Sequence, residues 1–165
     1  MKHRQHPALA RLRCVELPVQ IDPRTGRKMP YCYIHRGLPG SLKSTAANTH
    51  GCLVISPHDM FSYRCGQYQF KEGQRKEARR WAMQLFGLAL FERVDVAIAE
   101  VLPTHKSVNA YKERAERDGY NVVVFDHYCS VEWSFSHNVH KVPLEVIEGM
   151  AAVWTPWPGA IEVRL

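Results

Sequence analysis

A short apolar run that leads into a glycine-rich turn restricts the fold of this chain more than any other feature. Residues 31–34 (YCYI) predict a strand, and Gly37-Leu38-Pro39-Gly40 begins a turn shortly after it. Glycine readily adopts the left-handed backbone angles that tight turns need. Successive N–H groups of such a turn can cradle phosphates, and Lys43 would neutralise their charge. We therefore expect a phosphate-binding loop at the carboxyl end of a strand.

Further apolar runs alternate with segments of helical periodicity. Strands are predicted at residues 52–55, 94–99, 121–125 and 161–163, and helices at residues 75–91, 105–118 and from Pro143 onward. Strands separated by helices form βαβ units with right-handed crossovers. The predicted fold class is α/β, with helices around a mainly parallel central sheet.

The N-terminal region carries a different pattern. Val15, Leu17, Val19 and Ile21 alternate with polar or small residues, which predicts a half-buried strand, and residues 22–26 (DPRTG) have turn chemistry. We expect a strand or hairpin extension before the main sheet. Residues 1–13 are interpreted as a basic tail, and residues 14–165 are long enough for one domain.

Composition excludes several classes of protein. With 45% hydrophobic and 23% charged residues, the chain is globular rather than disordered or fibrous. It contains no run of about 18 apolar residues, so no membrane span is expected. The five cysteines are scattered and odd in number, which favours free thiols in a reducing cytoplasm. The formal net charge of +6 permits attraction to phosphate-rich partners.

The segment from Arg36 to Thr45 carries a family resemblance. It reads RGLPGSLKST and follows the pattern G-x-x-x-x-G-K-[ST], except that Leu42 replaces the second glycine. It resembles the polynucleotide-kinase-like P-loop kinases, which include phage polynucleotide kinases. Ordered similarities extend over about residues 31–155 and include the segment 138–147 (NVHKVPLEVI), which is similar to the lid of that family.

This resemblance implies a P-loop kinase-type three-layer sandwich. It assigns seven residues to the phosphate loop: Gly37, Gly40, Ser41, Leu42, Lys43, Ser44 and Thr45. The implied cofactors are ATP and Mg²⁺ if the loop is functional, with Ser44 and Glu100 as the metal-binding residues. If the loop is not functional, no cofactor is expected.

The resemblance also implies catalytic positions, and the residues at these positions depart from the family. His58 stands in place of the aspartate base, Asp59 keeps the second acidic position, and His137 replaces the lid arginine. Leu42 is the most serious change, because the family uses glycine there to bring the backbone close to phosphate. Its side chain either crowds the phosphates or packs downward. Phosphoryl transfer depends on positioned charge, so these replacements together predict a degenerate active site.

Three functions remain open from the sequence. The leading interpretation is a pseudokinase that binds a protein partner, which for a phage-encoded chain would make it an effector in the host cytoplasm. The first alternative is an active ATP-dependent kinase that phosphorylates a polynucleotide 5′-hydroxyl, a nucleotide or a modified base. The second is a non-catalytic nucleic-acid-binding module, for which the predicted helix supplies Arg75, Lys76, Arg79 and Arg80. The same basic face is equally typical of a solvated helix.

Overall fold

A five-stranded, fully parallel sheet forms the centre of the protein. The computed structural model describes Pro7, residues 17–60 and residues 72–165. Its strands are β1 (Tyr31–Gly37), β2 (Leu53–Ile55), β3 (Val96–Glu100), β4 (Asn121–Tyr128) and β5 (Ile161–Arg164). They lie in the order β2-β3-β1-β4-β5, so β1 is central and the chain crosses over between strands. The predicted α/β class and parallel sheet are confirmed.

Helices cover both faces of this sheet. The α-helices are α1 (Lys43–Ala47), α2 (Arg75–Glu92), α3 (His105–Arg117), α4 (Val131–His137) and α5 (Leu144–Ala152). The main core packs α2 and α3 against one face, around Phe86, Ile34 and Ile98. On the opposite face, α1 packs through Ala46 and Ala47. The arrangement is therefore the predicted three-layer sandwich. In the described residues, no helix is long and apolar enough to cross a membrane.

Local sequence explains where these elements begin and end. Thr104 caps α3 by accepting a hydrogen bond from the backbone N–H of Ser107, and Ser130 caps α4 in the same way through Trp133. After α3, Gly119 takes a φ of +76°, which favours glycine. The helix α4 was missed by the sequence analysis, although Ser130 ahead of a helical segment was an available signal. The helix α1, which begins at Lys43, has only five residues.

The N-terminal extension differs from its prediction. Residues 17–20 have no regular secondary structure, and Ile21 forms only an isolated antiparallel bridge with Lys28. The turn between them is present, since the N–H of Gly26 donates to the carbonyl of Asp22 at 2.8 Å. Both edges of β1 are already paired with β3 and β4, so no free strand edge remains beside it. The extension is thus a short hairpin, and Val15 and the tail at residues 1–13 lie outside the described part apart from Pro7.

A buried ion pair fixes the C-terminal segment against the sheet. Arg36 on β1 and Asp126 on β4 are both completely buried, with Nε and Oδ1 3.4 Å apart. The guanidinium of Arg36 lies 4.0 Å from the ring centre of Trp154 and donates to the carbonyl of Thr155. The Oδ2 atom of Asp126 accepts from the backbone N–H of Trp157. Removing one charge would leave the other buried without its partner.

We predict that Arg36→Met lowers the free energy of unfolding by about 3–5 kcal/mol, because Asp126 would keep an uncompensated buried charge. The double variant Arg36→Met/Asp126→Asn should recover part of this loss, since the amide oxygen still accepts from Trp157. Urea unfolding of the single and double variants measures both values. Additive losses would contradict the coupling between these two side chains.

Candidate phosphate-binding loop

The loop after β1 keeps the backbone shape of an anion-binding turn. Gly40 has a φ of +74° and Leu42 a φ of 59°, so both lie in the left-handed region. A Cβ at Gly37 would lie 2.7 Å from the carbonyl oxygen of His127, and one at Gly40 would lie 2.9 Å from the backbone nitrogen of Asn138. Neither position therefore accepts a side chain. The backbone of the predicted lid region packs directly on the tip of the loop.

Leu42 holds a glycine-like conformation with its side chain turned toward the sheet. A left-handed angle costs a non-glycine residue about 1–2 kcal/mol. The partly buried Leu42 packs against the cluster of Ala46, Phe125 and Val163, and this contact offsets the strain. Of the two orientations considered from the sequence, the structure shows the downward one. The loop nevertheless keeps its left-handed turns.

Lys43 lies inside the loop as a buried cation. Its Nζ donates to the carbonyl oxygen of Leu38 at 2.6 Å and to Oγ of Ser41 at 3.4 Å. Within the described residues, no carboxylate lies within ion-pair distance of this ammonium. Burial lowers the pKa of Lys43 to about 8. The loop therefore presents positive charge whose nearest partners are neutral.

The two residues expected to bind magnesium, Ser44 and Glu100, have different surroundings. Glu100 is nearly buried at the end of β3, and its Oε1 accepts from Nε of Arg79 at 3.1 Å. Its Oε2 accepts from the hydroxyl of Tyr111 at 3.0 Å. Ser44 is exposed at the start of α1. Each oxygen of Glu100 therefore accepts one hydrogen bond and keeps one further acceptor site. Among the described residues, no group of three or more His, Cys, Asp or Glu side chains is placed to hold a metal.

Of the predicted catalytic residues, the structure brings His58 near the loop. Its ring stacks on His140 with the ring centres 4.6 Å apart. Burial lowers the pKa of His58 to about 4, with smaller contributions from His140, Lys43 and Arg75. The imidazole is therefore neutral near pH 7. Asp59 beside it is exposed.

His137 is not aimed at the loop as a substitute for arginine. It is exposed, and its ring stacks on Trp133 of its own helix with the centres 3.8 Å apart. Its Nδ1 lies 2.9 Å from Oγ of Ser136 and 3.0 Å from the carbonyl of Trp133. These contacts tie the ring to α4.

The four basic residues proposed for nucleic acid all lie on the exposed face of α2. One of them, Arg79, is engaged with Glu100. The other three are Arg75, Lys76 and Arg80. This face of α2 is thus positively charged. The N-terminal end of α2 lies near the loop, since the charge of Arg75 contributes to the lowered pKa of His58.

Three histidines near the loop were missed by the sequence analysis. His127 on β4 is buried, and its Nδ1 lies 3.1 Å from the carbonyl oxygen of Ser41. His35 on β1 contacts both His127 and His50. Both residues lie just beyond the predicted strands 31–34 and 121–125, and the observed strands extend to include them. Their spacing along the chain did not reveal that they meet.

Solved structures that are similar to this chain include kinases. A structure of the Pnkp1/Rnl/Hen1 RNA repair complex matches with a TM-score of 0.63 and 15% identity, over 80% of this chain and 46% of that chain. A gluconokinase from Sinorhizobium meliloti 1021 matches with a TM-score of 0.53 and 17% identity, over 84% of each chain. A complex of AvrRxo1-ORF1 with ORF2 and ATP matches with a TM-score of 0.50 and 17% identity, over 65% of this chain and 39% of that chain. No protein-family model matches the chain.

These similarities define the class of protein. The chain has the P-loop kinase-type fold, which confirms the fold that the loop motif implied. The resemblance to polynucleotide-kinase-like enzymes agrees with the RNA-repair structure at the level of the fold. This chain spans 46% of the length of the matched chain in that complex.

We predict that Leu42→Gly changes the free energy of unfolding by less than about 1 kcal/mol. Relief of the left-handed strain stabilises the variant, whereas lost packing and the freer unfolded chain destabilise it by a similar amount. Chemical denaturation measures the difference, with Leu42→Ala as the control that loses the packing and keeps the strain. A large loss in Leu42→Gly would show that packing dominates.

Proposed function

We propose that this chain is a catalytically degenerate P-loop kinase-fold protein that acts by binding a protein partner. The proposal joins two features of the structure. The phosphate loop keeps its shape, whereas the groups that would perform phosphoryl transfer are engaged elsewhere or replaced. Exposed apolar side chains offer a surface on which another protein can dock.

The hydrogen bonds of Glu100 to Arg79 and Tyr111 support the first part of the proposal, which is the loss of catalysis. Kinases neutralise the charge that develops on the transferred phosphoryl group with Mg²⁺ and basic side chains. Here Arg79 and Tyr111 occupy both oxygens of the carboxylate that would support the metal. Asp126, at the end of β4, is completely buried and held by Arg36 and Trp157. Neither carboxylate is thus presented to a metal beside the loop.

The remaining catalytic positions support the same conclusion. His137 is bound to its own helix, so it offers no permanent positive charge to a phosphoryl group. His58 is neutral and near the loop, so it is a group there that would accept a proton. A base without an organised metal and without a lid cation gives little acceleration of phosphoryl transfer.

An exposed apolar surface at one edge of the sheet supports the second part of the proposal, which is binding of a protein partner. We define the edge patch as four exposed side chains at the end of α2, in the loop after it and in β2. Their exposed fractions are 60% for Leu88, 82% for Phe91, 44% for Val94 and 44% for Leu53. Within the described residues, β2 is the last strand of the sheet on this side. Apolar side chains beside such a strand edge are typical of protein interaction sites.

One structural neighbour is compatible with partner binding by this fold. The matched AvrRxo1-ORF1 structure is a complex with ORF2 and ATP. In that case a protein partner accompanies a kinase-type fold. For the present chain, partner binding is proposed from the edge patch.

We predict that wild-type protein transfers no γ-phosphate from labelled ATP to polynucleotide, nucleotide or protein acceptors in the presence of Mg²⁺. The physical reason is that Glu100 is engaged with Arg79 and Tyr111. Autoradiography of the reaction products measures the transfer, with a polynucleotide kinase as the positive control. Transfer that disappears in Lys43→Ala would overturn the proposal and establish the active-kinase alternative, with His58 as its base.

We predict that Phe91→Glu removes a protein partner that wild type retains. A charge at the centre of the edge patch would have to be desolvated on docking, at a cost of several kcal/mol. Affinity capture followed by quantitative mass spectrometry compares the two proteins. The matched control is Gln84→Glu, which places the same charge on an exposed site of the same helix. If wild type, Phe91→Glu and Gln84→Glu capture the partner equally, the edge patch is not the docking site.

The alternative function, binding of nucleic acid, predicts an affinity that depends on salt concentration. The exposed basic side chains Arg75, Lys76 and Arg80 on α2 favour it. Binding to single-stranded RNA or DNA through these residues would weaken steeply as salt rises. Salt-dependent binding that is lost in Lys76→Glu would select this function over a protein partner.

A further inference from the structure

A continuous line of three imidazoles runs from the surface to the phosphate loop. The Nε2 of His50 lies 2.9 Å from Nε2 of His35, and Nδ1 of His35 lies 2.9 Å from Nε2 of His127. The Nδ1 of His127 lies 3.1 Å from the carbonyl oxygen of Ser41. His35 and His127 are buried inside the sheet layer beneath α1, whereas His50 is partly exposed. The line therefore has one inner end, at the loop, and one outer end.

The inner end fixes the direction of every hydrogen bond in the line. A carbonyl oxygen only accepts, so Nδ1 of His127 carries the proton that it donates to Ser41. In a neutral ring the other nitrogen accepts, so Nε2 of His127 accepts from Nδ1–H of His35. By the same step, Nε2 of His35 accepts from Nε2–H of His50. All three donors point toward the loop, and Nδ1 of His50 keeps a lone pair.

The outer end faces a cavity that gives the proton an entry point. His50 stacks on Tyr33 with the ring centres 3.9 Å apart. It lines a cavity of about 200 Å³ together with Leu17, Val19, Lys28, Tyr31, Tyr33 and Phe125. Among the described residues, no donor is hydrogen-bonded to Nδ1 of His50. This lone pair is the acceptor that remains open in the line.

The charges around the line explain why it is neutral while the loop holds no anion. Lys43 faces the inner end, Tyr33 stacks on the outer end, and Lys28 and Tyr31 border the cavity. Burial is the main cause that lowers the pKa of His127 to about 3, and Lys43 lowers it further. The pKa of His35 is also well below its ordinary value because of burial. No carboxylate contributes to the pKa of any of the three rings.

We propose that the three histidines form a proton path, through which an anion bound at Lys43 draws one proton from solvent to the phosphate loop. Lys43 is a buried cation without a carboxylate partner in the described residues, so the loop has an excess of positive charge that attracts anions. A bound dianion such as sulfate, or a phosphate group, reverses the local field. The added proton then supplies further positive charge beneath the loop. The inference does not depend on the proposed absence of phosphoryl transfer.

The transfer involves protons alone and its balance is simple. A proton from solvent binds Nδ1 of His50, and the Nε2 proton of His50 passes to Nε2 of His35. The Nδ1 proton of His35 then passes to Nε2 of His127. His127 becomes an imidazolium that still donates to Ser41, and His50 and His35 end as neutral rings with reversed tautomers. One proton has entered, and no heavy-atom bond has changed.

Isothermal titration with sodium sulfate in the presence of EDTA tests the proposal, in two buffers of different ionisation enthalpy at pH 6. Sulfate remains a dianion at this pH, and Lys43, with a pKa of about 8, is already protonated. Any proton that is taken up must then bind to a group other than sulfate or Lys43. We expect uptake of about one proton per bound sulfate at pH 6. The affinity for sulfate should fall about tenfold for each unit by which the pH is raised above 6.

The matched variants identify the source of the proton. In His127→Phe the acceptor at which the proton ends is absent, and sulfate should bind without proton uptake. His105→Gln, which changes a histidine on α3 outside the line, should keep the uptake of wild type. Uptake that persists in His127→Phe would assign it to His58 and His140, which Lys43 also faces, and would overturn the proposal.

A second measurement keeps the test independent of these variants and of anion binding. Nitrogen-15 NMR of labelled wild-type protein reports the tautomer of each ring. We expect Nδ1–H in His35 and His127 and Nε2–H in His50, with reversal at His35 and His50 when sulfate is added. The opposite starting tautomers, absence of saturable sulfate binding, or binding without uptake in wild type would each overturn the proton path. None of these results bears on phosphoryl transfer, which the labelled-ATP assay measures separately.

Discussion

The burial of Lys43, with no carboxylate within ion-pair distance among the described residues, is the constraint around which the loop is built. An ammonium removed from water is costly unless polar groups surround it. The carbonyl of Leu38 and the hydroxyl of Ser41 provide that environment, and the left-handed turns at Gly40 and Leu42 bring them into reach. The central position of β1 in the sheet then fixes where this charge lies.

Basic and acidic side chains at this end of the sheet take part in different contacts. Lys43 remains inside the loop, where it donates to the carbonyl of Leu38. Glu100 accepts from Arg79 and Tyr111, and Asp126 pairs with Arg36. Charge around the loop is therefore positive in excess, which differs from a site where carboxylates and Mg²⁺ balance the phosphates.

The sequence predicts the elements better than it predicts the contacts at the site. Apolar periodicity and capping residues locate the strands and the long helices, because both depend on near neighbours along the chain. The partner of Glu100 is Arg79, and His35 meets His127 from another strand. Such contacts depend on strand order and register, which single-sequence patterns do not contain. The orientation of Leu42 likewise follows from a cluster assembled by β4, β5 and α1.

Leu42 shows why a glycine position in the loop does not by itself decide function. The angle that glycine adopts freely is available to leucine at a cost of about 1–2 kcal/mol. Packing on Phe125 and Val163 offsets that cost, so the backbone keeps its shape. The left-handed angle at Leu42 alone therefore does not decide what the loop binds. On our proposals, the charges around the loop decide it, and a proton at His127 is one of them.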